Sequence, residues 1–452
     1  MKEYYHFIGI GGIGMSGVAH LLLKAGLRVS GSDLKENRIT EELKRLGAKI
    51  YIGHNHENIA EQSAVVYSSA IKEDNPEMRQ AKTLGIPLLK RAELLALLMQ
   101  QKTAITIAGS HGKTTTTSLI SYMLLEAGLC PTVAIGGILK NIDTNACLGS
   151  GEFFVAEADE SDGSFLYYQP KYSIITNIDY EHMDYYQNFE NELSAFKSFI
   201  KRTQTTGCIF ACSDDLNLKS LFSDYVGRVV FYGLNQPTDI YAKNIELNGL
   251  ASDFDCFLKD KFISRFHLAL GGRHNISNAL AVIGLGLELG INLGHIRRTL
   301  EGYKGAGRRL EIKFKSDKYL VIDDYAHHPS EIKATLAAVS NLNAQRKIVV
   351  FQPHRYSRTQ LLLNEFAGSF SQADVLIITD IYAASEQPIE GLNAQVLLNK
   401  IKETLADKQV IYLEKEKITE FLLDFVRPGD LVITLGAGDV VRVADEFAEK
   451  LK

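Results

Sequence analysis

Short apolar runs alternate with longer segments of helical character along most of the chain. The runs lie at residues 6–10, 65–68, 104–108, 153–156, 173–176, 347–351, 375–379 and 431–434. Each is about four to six residues long, and apolar runs of that length are typical of strands buried on both faces of a parallel sheet. The alternation of such strands with helices predicts an α/β fold with largely parallel sheets.

Two breaks in this pattern suggest domain boundaries. Residues 92–99 predict a closing helix, and the polar residues 100–102 separate it from the next strand. The segment 302–307 (GYKGAG) is rich in glycine and has the composition of a hinge. For 452 residues, these breaks predict three α/β domains at residues 1–100, 101–305 and 306–452, each within the usual range of domain size.

A candidate phosphate-binding loop, GSHGKT at residues 109–114, lies between a predicted strand and a predicted helix at residues 115–127. Its glycines let backbone N–H groups point at a phosphate, and the helix N-terminus adds partial positive charge. Lys113 is suited to contact the β- and γ-phosphates, and the hydroxyl of Thr114 is suited to bind Mg²⁺. The residues predicted to bind ATP here are Gly109, Ser110, His111, Gly112, Lys113, Thr114 and Thr115.

The loop is shorter than the general P-loop motif, which requires glycine at position 107, where this chain has Ile107. The prediction therefore depends on the strand–loop–helix context. The alternative is an ordinary glycine-rich turn with an incidental lysine.

Acidic segments follow two further predicted strands, as EADESD at residues 157–162 and NIDYEHMD at residues 177–184. Ligands collect at the carboxyl ends of parallel strands, so both segments are expected beside the phosphate loop. Mg²⁺ prefers oxygen ligands, which predicts a site made by Thr114 and Glu157, with His182 as a ligand of a second metal. The other acidic residues of the first segment are expected to be solvated loop charges: Asp159, Glu160 and Asp162.

The N-terminal segment GIGGIG, residues 9–14, matches a dinucleotide-binding motif, with Asp33 at the expected spacing of about 20 residues. A literal interpretation is NAD binding. However, the turn binds a diphosphate at a helix N-terminus, and a UDP-sugar carries the same diphosphate and ribose. A complete ATP site in the next domain favours the UDP-sugar. The candidate residues are Gly11, Gly12, Ile13, Gly14, Met15, Ser16, Asp33, Ser68 and Ser69.

Composition narrows the class of protein. A net charge of −5 makes nucleic acid an unlikely main partner. The five cysteines show no C-x-x-C spacing, which fits reduced thiols in the cytosol. No stretch approaches the ~20 apolar residues of a membrane helix, and the N-terminus lacks a signal-peptide core, so we expect a cytoplasmic protein without membrane insertion.

Eight stretches together resemble the Mur ligases, the ATP-dependent ligases of peptidoglycan synthesis. They are residues 9–17 (GIGGIGMSG), 109–116 (GSHGKTTT), 157–162 (EADESD), 176–184 (TNIDYEHMD), 272–278 (GRHNISN), 305–310 (GAGRRL), 323–329 (DDYAHHP) and 351–359 (FQPHRYSRT). They occur in order from residue 9 to residue 359, so the resemblance covers the whole architecture.

The resemblance implies an N-terminal Rossmann-like domain for the UDP-sugar, a central P-loop ATPase and a C-terminal Rossmann-like domain. It implies a ligase that joins L-alanine to the lactyl carboxylate of UDP-N-acetylmuramate through an acyl phosphate. ATP and Mg²⁺ would be required, and the enzyme would be a monomer or a homodimer.

The resemblance also implies roles for individual residues. Asn275 and Asn278 match positions that hold adenine, and Arg309 and Asp324 match positions that reach the nucleotide. The candidate catalytic residues are Lys113, Arg309 and His328. The residues implied to face the amino acid and the sugar are His327, His328, His354, Arg355 and Arg358.

The chain departs from the family pattern in three respects. Tyr180 and Glu181 precede His182, where a different acidic spacing is common. Ser110 occupies a position that is more often threonine. A carbamoylated lysine serves other members near the second metal, and neither Lys197 nor Lys201 can be assigned to that role from the sequence.

Three other functions stay open at this point. One is a sister ligase that attaches a recycled peptide to the same UDP-sugar, although residues 351–359 favour the alanine enzyme. The others are an NAD-dependent oxidoreductase and a non-enzymatic nucleotide switch.

Overall fold

The computed structural model describes residues 3–235, 238–384 and 386–452. The N-terminal elements are β1 (Tyr4–Ile8), α1 (Ile13–Lys24), β2 (Arg28–Asp33), α2 (Arg38–Arg45), β3 (Lys49–Ile52), β4 (Ala64–Tyr67), α3 (Pro76–Leu84), β5 (Leu88–Lys90) and α4 (Arg91–Met99). The strands form one parallel sheet in the order β3-β2-β1-β4-β5. This order reverses direction at β1, so the loops after β1 and β4 lie side by side, where α/β folds bind ligands.

The central elements build a larger sheet. They are β6 (Thr103–Ala108), α5 (Lys113–Glu126), β7 (Thr132–Leu139), β8 (Thr144–Cys147), β9 (Phe153–Glu157), β10 (Tyr172–Ile175), α6 (Met183–Tyr186), α7 (Phe189–Arg202), β11 (Cys208–Cys212), α8 (Leu216–Ser220), β12 (Val229–Gly233), β13 (Ile240–Asn248), β14 (Ala251–Leu258), β15 (Lys261–Leu268), α9 (Arg273–Glu288) and α10 (Leu293–Gly302). The sheet has the order β15-β14-β13-β12-β11-β10-β6-β9-β7-β8. Because β9 and β10 pair in parallel with β6, the loops that follow these three strands share one edge of the sheet.

The C-terminal elements form a third sheet. They are β16 (Glu311–Lys315), β17 (Tyr319–Asp324), α11 (Pro329–Val339), β18 (Arg346–Phe351), α12 (Tyr356–Leu361), α13 (Leu363–Ala367), β19 (Val375–Ile378), α14 (Ala394–Thr404), β20 (Gln409–Tyr412), α15 (Lys415–Phe425), β21 (Asp430–Leu435) and α16 (Val441–Lys450). The order is β16-β17-β21-β18-β19-β20, parallel except for the edge strand β16. Neighbouring residues of β18 face opposite hydrophobic cores, Val349 one and Ile348 the other, because side chains alternate along a strand.

The chain forms two compact units. One contains the chain up to Lys243 together with Asp255–Ser264 and Ser277–Lys304, and the other contains Asn244–Phe254, Arg265–Ile276 and Gly305–Lys452. The predicted boundaries at residues 100 and 305 stay predictions.

The predicted α/β class with largely parallel sheets is confirmed, and each predicted apolar run coincides with a strand to within a few residues. The first run differs most, because β1 ends at Ile8. Gly9 has a φ of 77° and starts the turn there. Within the described residues, no helix combines the length and apolar character needed to cross a membrane.

Candidate active site

The loop after β6 has a backbone shape that favours glycine at two positions. Gly109 and Gly112 have φ values of 126° and 84°. A Cβ on Gly109 would clash with the hydroxyl of Thr176, and one on Gly112 would lie 2.8 Å from Oδ1 of Asn278. Asn177, just after β10, accepts a hydrogen bond from the backbone N–H of His111 at 2.9 Å through its side-chain oxygen. The loop is therefore shaped by its own glycines and held by the end of the neighbouring strand.

Lys113, the first residue of α5, has its ammonium group over this loop. Its Nζ donates to the carbonyl oxygens of Gly109 (2.6 Å) and Ser110 (3.0 Å) and to Oε1 of Glu160 (2.8 Å). Burial works to lower the pKa of Lys113, but the charges of Glu160 and Asp159 outweigh it and raise the pKa. The loop therefore carries a permanent positive charge at the position where phosphate oxygens are expected.

Thr114 and Glu157, predicted to share a magnesium ion, lie together. The Thr114 hydroxyl donates to Oε2 of Glu157 at 3.3 Å, and the backbone N–H of Gly136 donates to Oε1 at 2.8 Å. A Cβ on Gly136 would come within 2.6 Å of Oε2. The missing side chain at Gly136 thus leaves room for the carboxylate to face the helix that begins at Lys113.

His182 lies at the same edge of the sheet as Lys113. The side chains of both residues contact the carboxylate of Glu160. Nε2 of His182 lies 3.4 Å from Oε1 of Glu160 and 3.6 Å from Oε2 of Glu181. Burial works to lower the pKa of His182, but these two carboxylates outweigh it and raise the pKa.

The expectation that Glu160 is a solvated loop charge is wrong. Its side chain is fully buried because a turn, closed by the N–H of Gly163 donating to the Glu160 carbonyl at 3.0 Å, folds this part of the loop inward. The sequence shows four carboxylates within six residues but nothing that says which one turns in. Asp159 and Asp162 are half-buried.

The buried carboxylates fit a divalent cation. In the part of the chain that the structure describes, Oε2 of Glu160 and both oxygens of Glu192 are buried without a hydrogen-bond partner. Burial, reinforced by the charges of Glu160 and Glu181, raises the pKa of Glu192 to about 8. The carboxylates here outnumber the cationic side chains beside them. Carboxylate oxygens are the ligands that Mg²⁺ prefers. Sequence reasoning missed Glu192, which only its burial on the inner side of α7 reveals.

The two lysines considered for carbamoylation lie on the surface, away from the buried carboxylates. Lys197 donates to Asp224 at 2.8 Å on the surface, and Lys201 is exposed.

Two further predicted nucleotide-binding residues lie at the phosphate loop. Nε2 of His111 is 3.0 Å from Oδ2 of Asp179, whose backbone N–H donates to the Ser110 hydroxyl at 2.8 Å. Asn278, on α9, lies against Gly112, because a Cβ built on that glycine would come within 2.8 Å of Oδ1 of Asn278. Asn275 belongs to the other compact unit, where its side-chain amide donates to the carbonyl of Gly271 at 2.8 Å.

The N-terminal glycine motif forms the predicted turn between β1 and α1. Asp33 lies at the end of β2, and its Oδ2 accepts from the backbone N–H of Gly11 at 2.8 Å. The other oxygen accepts from the N–H of Leu34 at 2.8 Å. Asp33 therefore shapes the turn, and its contact with a ribose stays a prediction.

The remaining candidates around this turn lie close to it in the fold. Met15 is buried in α1, and the hydroxyl of Ser16 donates to the Ile13 carbonyl at 3.0 Å. Ser68 and Ser69 follow β4, which pairs with β1. Their roles towards a substrate stay predictions.

In the second unit, Asp324 orders the loop that carries Arg309. Its carboxylate accepts from the backbone N–H groups of Leu310 (2.7 Å) and Ala326 (2.8 Å). Burial raises the pKa of Asp324 to about 6. The guanidinium of Arg309 lies over the ring of Tyr325, at 5.2 Å from its centroid. Contact of Arg309 and Asp324 with a nucleotide stays a prediction.

The two histidines before α11 have different local roles. His328 is the buried N-cap of α11, and its Nδ1 accepts from the N–H of Ser330 at 3.3 Å. His327 has its Nδ1 at 3.3 Å from Oε2 of Glu331, and its ring meets the ring of His354 edge-on at 5.6 Å. The observed role of His328 is therefore to cap α11, and its catalytic role stays a prediction.

His354, Arg355 and Arg358 gather after β18, as predicted. The ring of His354 stacks on Tyr382 at 5.6 Å, and its Nδ1 lies 3.3 Å from a terminal nitrogen of Arg358. Burial, together with the nearby charges of His327 and Arg358, lowers the pKa of His354 to about 3. The cluster thus combines two guanidinium groups with a neutral imidazole, which suits the binding of a carboxylate or phosphate.

Comparisons with known proteins match the chain along nearly its whole length. Three family models match in order: Mur ligase family, catalytic domain, at residues 4–103; Mur ligase middle domain, at residues 107–286; and Mur ligase, glutamate ligase domain, at residues 308–438.

Two curated relatives cover nearly the whole chain, and both are named UDP-N-acetylmuramate–L-alanine ligase. The protein of Desulfatibacillum aliphaticivorans is 48% identical over 99% of this chain and 98% of its own, and that of Syntrophus aciditrophicus is 45% identical over 100% and 94%. The crystal structure of UDP-N-acetylmuramate-alanine ligase from Thermotoga maritima superposes with a TM-score of 0.86 at 29% identity, covering 99% of each chain.

Proposed function

The chain belongs to the Mur ligase family, and on that premise we propose that it joins L-alanine to the lactyl carboxylate of UDP-N-acetylmuramate, using ATP. The observation that carries this proposal is the convergence of Lys113, Thr114 and Glu157 on one glycine loop, in a chain whose relatives of that name match it from end to end. The reaction class is an ATP-dependent formation of an amide bond.

The reaction proceeds in two steps. An oxygen of the lactyl carboxylate attacks the γ-phosphorus of ATP, the bond to the β,γ-bridging oxygen breaks, and ADP leaves. The amine of L-alanine then attacks the acyl carbon, phosphate departs with the former carboxylate oxygen, and the nitrogen loses a proton to form the amide. Phosphorylation is needed because oxide is a very poor leaving group.

The protein contributes to these steps mainly by positioning the reacting groups and by stabilising negative charge on the phosphates. The backbone N–H groups at the start of α5 and the ammonium of Lys113 bind phosphate oxygens and stabilise the charge that develops during transfer. The contact of Lys113 with Glu160 keeps that ammonium fixed in place before the substrate arrives.

We further propose that Thr114 and Glu157 hold Mg²⁺ and that His182 binds a second ion near the buried carboxylates. When bound, the metal offsets negative charge on the β- and γ-phosphates. The fit of the donor set supports this assignment, because Oε2 of Glu160 and the carboxylate of Glu192 are buried with no hydrogen-bond partner among the described residues.

For the second unit, the proposal follows the family resemblance. Arg309 and Asp324 would contact the nucleotide, and the cluster of His327, His354, Arg355 and Arg358 would recognise anionic groups of the amino acid and sugar. We also propose a cytoplasmic location, where ATP and UDP-sugars are available, and a monomeric or homodimeric state.

The test is release of phosphate from ATP with UDP-N-acetylmuramate and a panel of amino acids and peptides. The proposal expects release with L-alanine that depends on both the sugar nucleotide and Mg²⁺. Release only with a muropeptide-derived peptide would instead identify the sister ligase, and release that needs no acceptor would contradict ligation.

A further inference from the structure

Arg355 has a backbone conformation that residues with a Cβ rarely adopt. Its φ is 71° and its ψ is 137°, in the region of positive φ that favours glycine. Strain of this kind is concentrated at functional sites and persists only where the surrounding contacts hold the backbone in place. The contacts around Arg355 therefore fix the start of a side chain whose guanidinium belongs to the proposed anion-binding cluster.

Hydrogen bonds on both sides hold the backbone of Arg355. Its N–H donates to the carbonyl oxygen of Tyr382 at 2.8 Å. Its own carbonyl oxygen accepts from the hydroxyl of Thr359 at 2.7 Å and from the N–H of the same residue at 3.2 Å. The N–H of Tyr382 donates in turn to the carbonyl of Pro353 at 2.8 Å. These bonds join neutral groups.

Glu386 adds charged hydrogen bonds to this arrangement. Its Oε2 accepts from the backbone N–H of Ser357 at 3.0 Å, and its Oε1 accepts from the Ser357 hydroxyl at 2.6 Å. Ser357 is the second residue of α12, and backbone N–H groups at a helix start have no partner within the helix. The Glu386 carboxylate supplies that partner from the loop after β19, and a bond to an ionised acceptor is stronger than one between neutral groups.

The Glu386 carboxylate bonds to the helix rather than to the guanidinium of Arg355. Its Oε1 lies 4.0 Å from Nη1 of Arg355, which is beyond hydrogen-bond distance. The Arg355 side chain is 36% exposed, so a ligand can still reach its guanidinium. Glu386 therefore acts on Arg355 mainly through the backbone that follows it.

The same short helix positions Arg358. This residue directly follows Ser357 in α12, and its Nη1 lies 3.4 Å from the carbonyl oxygen of His354 and 3.3 Å from Nδ1 of that histidine. The ring of His354 stacks on Tyr382, whose carbonyl holds Arg355. Loosening the start of α12 would therefore displace both guanidinium groups together.

We propose that Glu386 is a positioning residue, which holds Arg355 and Arg358 in the geometry that binds the carboxylate of the amino-acid substrate. The inference rests on the proposed function and adds to it the group that prepares the amino-acid site. A planar guanidinium pairs well with a planar carboxylate. The carboxylate of L-alanine is favoured over that of the sugar because it stays intact, whereas the lactyl carboxylate must give an oxygen to phosphorus.

The test compares the steady-state kinetics of the wild type with those of Glu386→Gln and Glu386→Asp. Glutamine keeps one acceptor for Ser357 but removes the charge, so the KM for L-alanine should rise roughly 10-fold or more. The KM values for ATP and UDP-N-acetylmuramate should change by less than about twofold, and kcat at saturating L-alanine by less than about threefold. Aspartate keeps the charge and should recover part of the loss.

A second substrate separates positioning from a general loss of structure. L-Alaninamide keeps the attacking amine but lacks the carboxylate, so the wild type should prefer L-alanine by roughly 100-fold in kcat/KM. Glu386→Gln should reduce that preference about 10-fold, because it weakens the contact with the carboxylate. A structural defect alone would lower the rates with both substrates equally and leave the preference unchanged.

A double-mutant cycle identifies the group through which Glu386 acts. In an Arg355→Ala background, Glu386→Gln should raise the KM for L-alanine by less than about threefold, because a group that it positions is already absent. Glu390→Gln, at an exposed position of the same loop, is the matched control and should leave all KM values unchanged.

An unchanged KM for L-alanine in Glu386→Gln would overturn the inference. Full additivity with Arg355→Ala, an unchanged preference over L-alaninamide, or a rise in the KM for UDP-N-acetylmuramate instead would overturn it as well. A wild type that forms no amide with L-alanine would overturn the proposed function itself. A wild type that uses L-alanine while Glu386→Gln uses it equally well would overturn only the role of Glu386.

Discussion

Replacing Glu160 with glutamine tests how the phosphate loop is organised. Glu160 is fully buried, and one of its oxygens serves two cationic partners, Nζ of Lys113 at 2.8 Å and Nε2 of His182 at 3.4 Å. Glutamine keeps the size and one acceptor of the side chain but removes its charge. The variant therefore leaves the ammonium of Lys113 largely buried without its nearest counter-charge.

The expected loss of stability follows from that geometry. Hydrogen bonds to charged groups contribute about 1.5–3 kcal/mol, and breaking a buried ion pair costs about 3–5 kcal/mol. Because the amide oxygen still accepts from Lys113, we expect a loss of about 2–4 kcal/mol, or a fall in Tm of roughly 4–8 °C for a unit of this size.

The effect should also depend on pH. Glu160 contributes to the raised pKa of His182. A raised folded-state pKa contributes stability that is complete below the unfolded value, about 6.5, and is lost as pH rises through the folded value. The difference in Tm between wild type and Glu160→Gln should therefore be larger at pH 6 than at pH 9.

Thermal unfolding followed by circular dichroism at several pH values measures both effects. Glu152→Gln, at an exposed position just before β9, is the control and should change stability by less than about 0.5 kcal/mol. A Glu160→Gln variant that melts within about 1 °C of the wild type at every pH would refute the shared-carboxylate arrangement.

Three further changes probe the same site. Lys113→Ala should lower phosphate release by at least about 100-fold while far-UV circular dichroism keeps its native form, because the group that stabilises the transferring phosphate is removed; near-normal turnover would contradict the loop assignment. Glu192 has a folded pKa of about 8, above its ordinary value, so the wild type should lose stability as pH rises from about 4.5 through 8, and Glu192→Gln should flatten this part of the Tm–pH curve; an unchanged slope would contradict the raised pKa. Gly136→Ala should raise the Mg²⁺ concentration for half-maximal activity by about tenfold, because its Cβ would displace Oε2 of Glu157; Gly368→Ala, where a Cβ meets open space, is the control, and an equal Mg²⁺ requirement in both variants would contradict the role of Glu157.

The sequence predicted the elements that follow from local rules. Lys113 and Thr114 could be predicted as site residues because glycine spacing and a strand–loop–helix context are local properties. The position of Glu157 beside them could be predicted because it directly follows a buried strand, and parallel neighbouring strands bring their carboxyl ends together.

The residues that sequence reasoning missed depend on packing between distant segments. Glu160 turns inward only because a tight turn follows it, and Glu192 faces the site only because of how α7 packs. His328 shows the opposite difficulty, since its residue type suggests catalysis while its observed contact is that of a helix cap.

Transfer of oxygen-18 from the lactyl carboxylate of UDP-N-acetylmuramate to the released phosphate tests the central claim most directly. If the carboxylate attacks the γ-phosphorus held by the loop at Lys113, each phosphate formed in the presence of L-alanine and ATP carries one labelled oxygen, as mass spectrometry would show. Phosphate that is free of label, formed at the same rate as the amide product, would contradict the account.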